Sequence, residues 1–161
     1  MQITGMLWGR KLLDLVEFPH SEVRGPELGV DDIKDMIKRH GQVFIKPLFK
    51  GGVGKKGKSG LLGRVDNITD ALKEKERLYF CEHVDGFSKV KSDGVTYEGA
   101  VPADYEVYFS ISESTEHRSP IMTVTHHGGV DIEELGEDKI KVVPFDALTG
   151  LKAFHVSNAL M

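Results

Sequence analysis

Apolar positions along the chain fall into two rhythms. Gly9 to Phe18 has helical spacing, with Leu12, Leu13 and Val16 on one face. Asp31 to His40 repeats it more clearly. Acidic residues open that run, Ile33, Met36 and Ile37 form the stripe, and basic residues close it before Gly41. A third helix is expected from a cap at Asp66 or Asn67 to about Glu76, with Ile68, Ala71 and Leu72 inward. Between and after these lie short apolar runs that read as strands: 43–49, 61–65, 78–84, 105–111, 121–125 and 139–145. The polar segment 113–119 reads as the turn between two paired strands, and Leu148 to Leu160 as a closing helix. Residues 19–29, with two prolines and two glycines, form a connector. Residues 85–102 are polar and weakly patterned, and predict a long loop or an inserted hairpin.

The resulting class is α+β, with mostly antiparallel strands and flanking helices. A chain of 161 residues with 40% apolar content supports one core, so a single domain is expected. Within it, 1–29 supplies a helix and connector, 30–84 a hairpin-bearing part, 85–102 the loop or insertion, and 103–161 a second strand group. A net charge of -4 argues against general nucleic-acid binding, because the lysines are concentrated locally. The single cysteine, Cys81, excludes an internal disulfide and fits a reducing cytoplasm; its apolar neighbours mark it as structural. No run approaches a membrane span, and no export signal is read at the N-terminus.

The most informative stretch is 43–65. A strand carrying Lys46 runs into Gly51-Gly52-Val53-Gly54-Lys55-Lys56-Gly57-Lys58-Ser59-Gly60, and a second apolar run follows. Glycines let backbone N–H groups converge on an anion, and lysines supply charge for a polyphosphate. Gly52 to Ser59 matches the P-loop pattern, but that motif works only where its Lys-Ser pair opens a helix. Gly60 and Gly63 would cost such a helix about 1 kcal/mol each. A strand–loop–strand hairpin is therefore expected. His126 and His127 are adjacent on a strand and point to opposite faces, so no metal site is expected there with Asp131, Glu133 and Glu134. No catalytic residue is assigned.

Three blocks, in order, resemble the ATP-grasp domain of the ADP-forming acyl-CoA ligases, a family that includes the succinyl-CoA synthetase beta subunit, ATP-citrate lyase and citryl-CoA synthetase. They are Phe44-Ile45-Lys46-Pro47 with Gly54-Lys55-Lys56-Gly57-Lys58-Ser59-Gly60-Leu61; Phe80-Cys81-Glu82-His83-Val84 with Tyr105-Glu106-Val107-Tyr108; and His127-Gly128-Gly129-Val130-Asp131-Ile132-Glu133-Glu134 with Asp146-Ala147-Leu148-Thr149-Gly150. The resemblance implies that Lys46 reaches the nucleotide phosphates and that Gly54, Lys55, Lys56, Gly57 and Lys58 cover them. It places Glu82, His83 and Val84 on the strand that reads adenine, and Glu106 at the ribose hydroxyls.

In that family the Mg²⁺ ligands, the CoA segments and the phosphate-carrying histidine lie beyond the part resembled, so the metal-binding strands are expected to be missing here. The resemblance implies ATP with Mg²⁺ as cofactor, CoA in the complete enzyme, and pairing with a second subunit, another copy or the remainder of the enzyme. The chain then reads as the ATP-binding portion of a carboxylate–CoA ligase or ATP-citrate lyase-type enzyme, inactive alone. The alternative is a non-catalytic grasp module that packs on a partner subunit.

Overall fold

The structure is a computed structural model and describes residues 6–49, 60–85, 88–128 and 135–160. It divides into two compact units, Met1–Pro102 and Ala103–Met161.

In the first unit, helix α1 (Met6–Leu15) and strand β1 (Val23–Arg24) precede helix α2 (Val30–His40). Then come strands β2 (Val43–Phe49) and β3 (Gly63–Val65), helix α3 (Ile68–Tyr79), and strands β4 (Glu82–Asp85) and β5 (Ser88–Gly99). The sheet runs β1-β5-β2-β3 with β4 also paired to β5, and every pairing is antiparallel. Acidic Asp31 and Asp32 begin α2 and Lys38, Arg39 and His40 end it, each complementing the helix dipole. Gly41 stops the helix at φ 72°, donating its amide to the Ile37 carbonyl at 2.7 Å. At the start of α3, the Asn67 side chain accepts the Asp70 amide at 2.9 Å.

Alternate residues of β2 decide the layering. Val43, Ile45, Pro47 and Phe49 are buried, and those of the core cluster pack with Ile33, Met36 and Ile37 of α2 and Ala71 and Leu78 of α3. Truncating Ile33, Met36, Ile37, Ile45 or Leu78 of this layer to alanine costs about 2–5 kcal/mol. Phe44, Lys46 and Leu48 consequently point to the other face of the sheet.

Leu72, expected inward on α3, is exposed, and two expected elements also change in this unit. Leu78 is helical, because it lies seven residues after Ala71 on the same buried face; both are fully buried. The strand expected from Leu78 therefore starts only at Glu82. Residues 85–102 are largely the twelve-residue strand β5, which pairs with β1, β2 and β4. A bulge explains why its pattern was hard to read. Pro47 faces Val95 but Phe49 faces Ser92, so two residues of β2 span three of β5. Inward positions are Val90 and Ser92 before the bulge and Val95 and Tyr97 after it.

In the second unit, β6 (Tyr108–Ser114), β7 (Ser119–Thr125) and β8 (Lys141–Pro144) form an antiparallel sheet in that order. Helix α4 (Ala153–Leu160) buries Ala159 against Met122 and Val124. The helix begins later than Leu148 because Asp146 folds the preceding block into a turn. Its carboxylate accepts the Leu148 and Thr149 amides at 2.7 and 2.9 Å, and Gly150 adopts φ 70°. Among the described residues no helix is long and apolar enough to cross a membrane.

Candidate functional site

Lys46 lies on the face of the first sheet turned away from α2 and α3. Direct neighbours across antiparallel strands share a face, so Phe44, Lys46, Arg64, Thr96 and Glu98 stand together there. The Lys46 ammonium is 5.9 Å from the Phe44 ring centroid and pairs with the Glu98 carboxylate. Glu98 also accepts from Arg10 Nη2 of α1 at 3.0 Å and from Ser21 Oγ at 2.8 Å. Burial pushes the Glu98 carboxyl up, but the hydrogen bonds from Lys46 and Ser21, with the charges of Lys46 and Arg10, outweigh it and hold the group below its ordinary value. Arg64 on the neighbouring strand donates to Gln42 Oε1 at 2.9 and 2.5 Å.

β2 and β3, on either side of the glycine–lysine segment, pair antiparallel. The β3 side is anchored: Arg77 of α3 donates to the Gly60 carbonyl at 2.9 Å, and a Cβ on Gly63 would lie 2.6 Å from the Glu74 carboxylate. Gly60 has φ 69°, and Gly63–Val65 is strand, so the helix a P-loop requires after Ser59 is not there. Gly54, Lys55, Lys56, Gly57 and Lys58 lie outside the described residues, as do Asp131, Glu133 and Glu134.

β4 presents its backbone in alternation. The Ser92 amide donates to the Cys81 carbonyl at 2.9 Å, which makes this a hydrogen-bonded pair. In an antiparallel ladder such pairs alternate, so His83 and Asp85 bond to β5 while Glu82 and Val84 turn their N–H and C=O groups to the other edge. Among the described residues no strand occupies that edge. The Glu82 and Val84 side chains oppose Lys91 and Lys89, on the same face as Lys46. Glu82 accepts from Lys89 at 2.6 Å, and that hydrogen bond and charge lower its pKa. His83 points to the helix side, its ring centroid 6.1 Å from that of Phe49. Cys81 is half-buried beside the core, 3.7 Å from Ser92 Oγ.

Glu106 belongs to the second unit and precedes β6 rather than lying in it. Its carbonyl accepts the Gly128 amide at 2.9 Å. His126 and His127 are exposed, and among the described residues no three His, Cys, Asp or Glu side chains gather to hold a metal. Sequence reading missed Arg10, Arg64 and Glu98; the alternation Val95, Tyr97 against Thr96, Glu98 was the available signal for the last.

No family model matches the chain. It is 28% identical over 140 residues, 83% of its length, to the succinate–CoA ligase [ADP-forming] subunit beta of Desulfatibacillum aliphaticivorans. It is 32% identical over 108 residues, 65% of its length, to the ADP-forming sulfoacetate–CoA ligase subunit SauC of Bilophila wadsworthia. The chain is homologous to ADP-forming CoA ligase subunits. The chain spans 36% and 27% of those two relatives' lengths. Its fold is similar to that of ATP citrate lyase from Methanothrix soehngenii in complex with citrate and coenzyme A, with a TM-score of 0.57 at 20% identity over 90% of this chain and 34% of that one. It is also similar to a dinucleotide-forming acetyl-coenzyme A synthetase of Ca. Korarchaeum cryptofilum, with a TM-score of 0.59 at 12% identity over 96% of this chain and 62% of that one. The chain's α+β architecture, with antiparallel sheets and flanking helices, is ATP-grasp-like.

Proposed function

We propose that the chain is the ATP-binding portion of an ADP-forming carboxylate–CoA ligase or ATP-citrate lyase-type enzyme. The observation that carries this reading is Lys46. It stands on the sheet face free of α2 and α3, directly before the glycine–lysine segment, in a chain homologous to ADP-forming ligase subunits.

The donor set fits a nucleotide. Lys46 offers a charged donor for a phosphate, and the outward backbone groups of Glu82 and Val84 offer the alternating donor and acceptor that an adenine edge requires. The Glu82 carboxylate, already held by Lys89, favours backbone over side-chain reading of the base. Lys55, Lys56 and Lys58 would add phosphate charge, with Gly54 and Gly57 allowing close approach of the backbone. ATP bound with Mg²⁺ would supply the phosphoryl group, and CoA and the carboxylate would be met elsewhere in the assembled enzyme. The relatives are named as subunits, which supports a partner subunit for this chain as well.

Calorimetric titration of ATP and ADP, with and without Mg²⁺, tests the reading. Binding should weaken at least tenfold, about 1.4 kcal/mol, in Lys46→Ala. A well-folded chain that binds neither nucleotide at millimolar concentration, or a Lys46→Ala variant that binds as well as the parent, would overturn it.

A further inference from the structure

Glu98 matches no motif, yet three segments converge on it. Arg10 from α1 and Ser21 from the connector both donate to one carboxylate oxygen, at 3.0 and 2.8 Å, and Lys46 from β2 donates to the other. Its side chain is only 13% exposed and that of Lys46 24%. An ionised carboxylate only accepts, so it satisfies all three donors at once. The lysine on which the nucleotide reading rests is therefore already paired.

We propose that Glu98 is an internal counterion that a polyphosphate must displace from Lys46. The proposal rests on the nucleotide reading above and adds the feature that grades ligands by phosphate charge. Two observations make the exchange feasible. Glu98 keeps Arg10 and Ser21 when Lys46 leaves, so the carboxylate is not stranded without partners. Lys46 shares its face with Phe44, Thr96 and Arg64 and not with the packed core, so its ammonium can turn from Glu98 toward a ligand above the sheet. A nucleoside or monophosphate competes poorly with a carboxylate already in contact. A di- or triphosphate competes better because it brings more charge to the same ammonium. Glu98 is thus a positioning residue: it acts through Lys46 and does not touch the ligand.

The test compares wild type with Glu98→Gln, which keeps the size and an acceptor oxygen but loses the charge. AMP, ADP, ATP and inorganic tripolyphosphate are titrated by calorimetry, and acylation of Lys46 by an amine-reactive ester is followed by peptide mass spectrometry. ATP and tripolyphosphate should bind Glu98→Gln about tenfold tighter, and AMP distinctly less so. Lys46 should acylate several-fold faster in the variant, with Lys73 as an unchanged exposed reference. A merely structural role would not produce a gain that grows with ligand charge. If wild type binds ATP and the variant binds no tighter, or Lys46 acylates equally in both, the counterion proposal falls while the nucleotide reading stands. If neither protein binds any phosphate, both fall. Should Glu98→Gln fail to fold, Glu98→Asp keeps the charge but shortens the reach to Lys46, and it should shift both readouts the same way by less.

Discussion

Replacing Tyr97 by phenylalanine should stabilise the first unit. Tyr97 sits on β5 directly across from Ile45, fully buried in the layer beneath α2 and α3. Its hydroxyl has no hydrogen-bond partner among the described residues. A buried hydroxyl left unpaired costs about 1–3 kcal/mol of desolvation. Removing one oxygen leaves a void of roughly 20 Å³, which at about 24 cal/mol per Å³ returns about 0.5 kcal/mol. The net expectation is a gain of about 0.5–2.5 kcal/mol. With a urea m-value of about 2 kcal/mol/M, the midpoint should rise by roughly 0.25–1.25 M at unchanged m.

Alkaline pH supplies an independent check. Burial, then the neighbouring Tyr79 charge, pushes the Tyr97 phenol up to about 12 from 10.0. Because the folded pKa is the higher one, this group's contribution is fully present below pH 10. It is lost as the pH rises toward 12, at about 1.4 kcal/mol per pH unit. Phenylalanine removes that slope, so the variant's advantage should widen between pH 10 and 12. A urea midpoint that falls in Tyr97→Phe at unchanged m would show that the hydroxyl is satisfied and the reasoning wrong.

Two further outcomes are expected. Asn67→Ala removes the side-chain acceptor for the Asp70 amide and should cost about 1 kcal/mol in urea unfolding; a loss below about 0.3 kcal/mol would mean the cap is replaced by water. Gly128→Ala places a Cβ 2.5 Å from the Glu106 carbonyl carbon, a backbone atom that cannot rotate away. It should destabilise the second unit by about 2 kcal/mol or more, read as faster amide exchange in β6 and β7, and unchanged exchange there would refute the clash.

What the sequence determined alone was local. The charge gradient and stripe of 31–40 specified α2, because dipole complementarity and period-3.6 burial act within a few turns. A cap at Asp66 or Asn67 was legible because capping is equally local, and the structure uses Asn67; the glycines at 60 and 63 argued against a P-loop helix, and Gly63–Val65 is indeed strand. Lys46 on a strand flanked by apolar residues was legible because alternation is a property of neighbours.

Tertiary structure decided the rest. A bulge reversed the inward parity of β5, so a strand in the heart of the sheet read as a polar loop until Phe49 and Ser92 were seen to pair. Leu78 was apolar enough for helix or strand, and only packing on the sheet with Ala71 chose the helix. Glu98 lies 52 residues from Lys46 and 88 from Arg10. Each of the three alone looks like a surface charge. They become one cluster because β5 lies beside β2 and α1 brings Arg10 to the same face, contacts that no local pattern encodes.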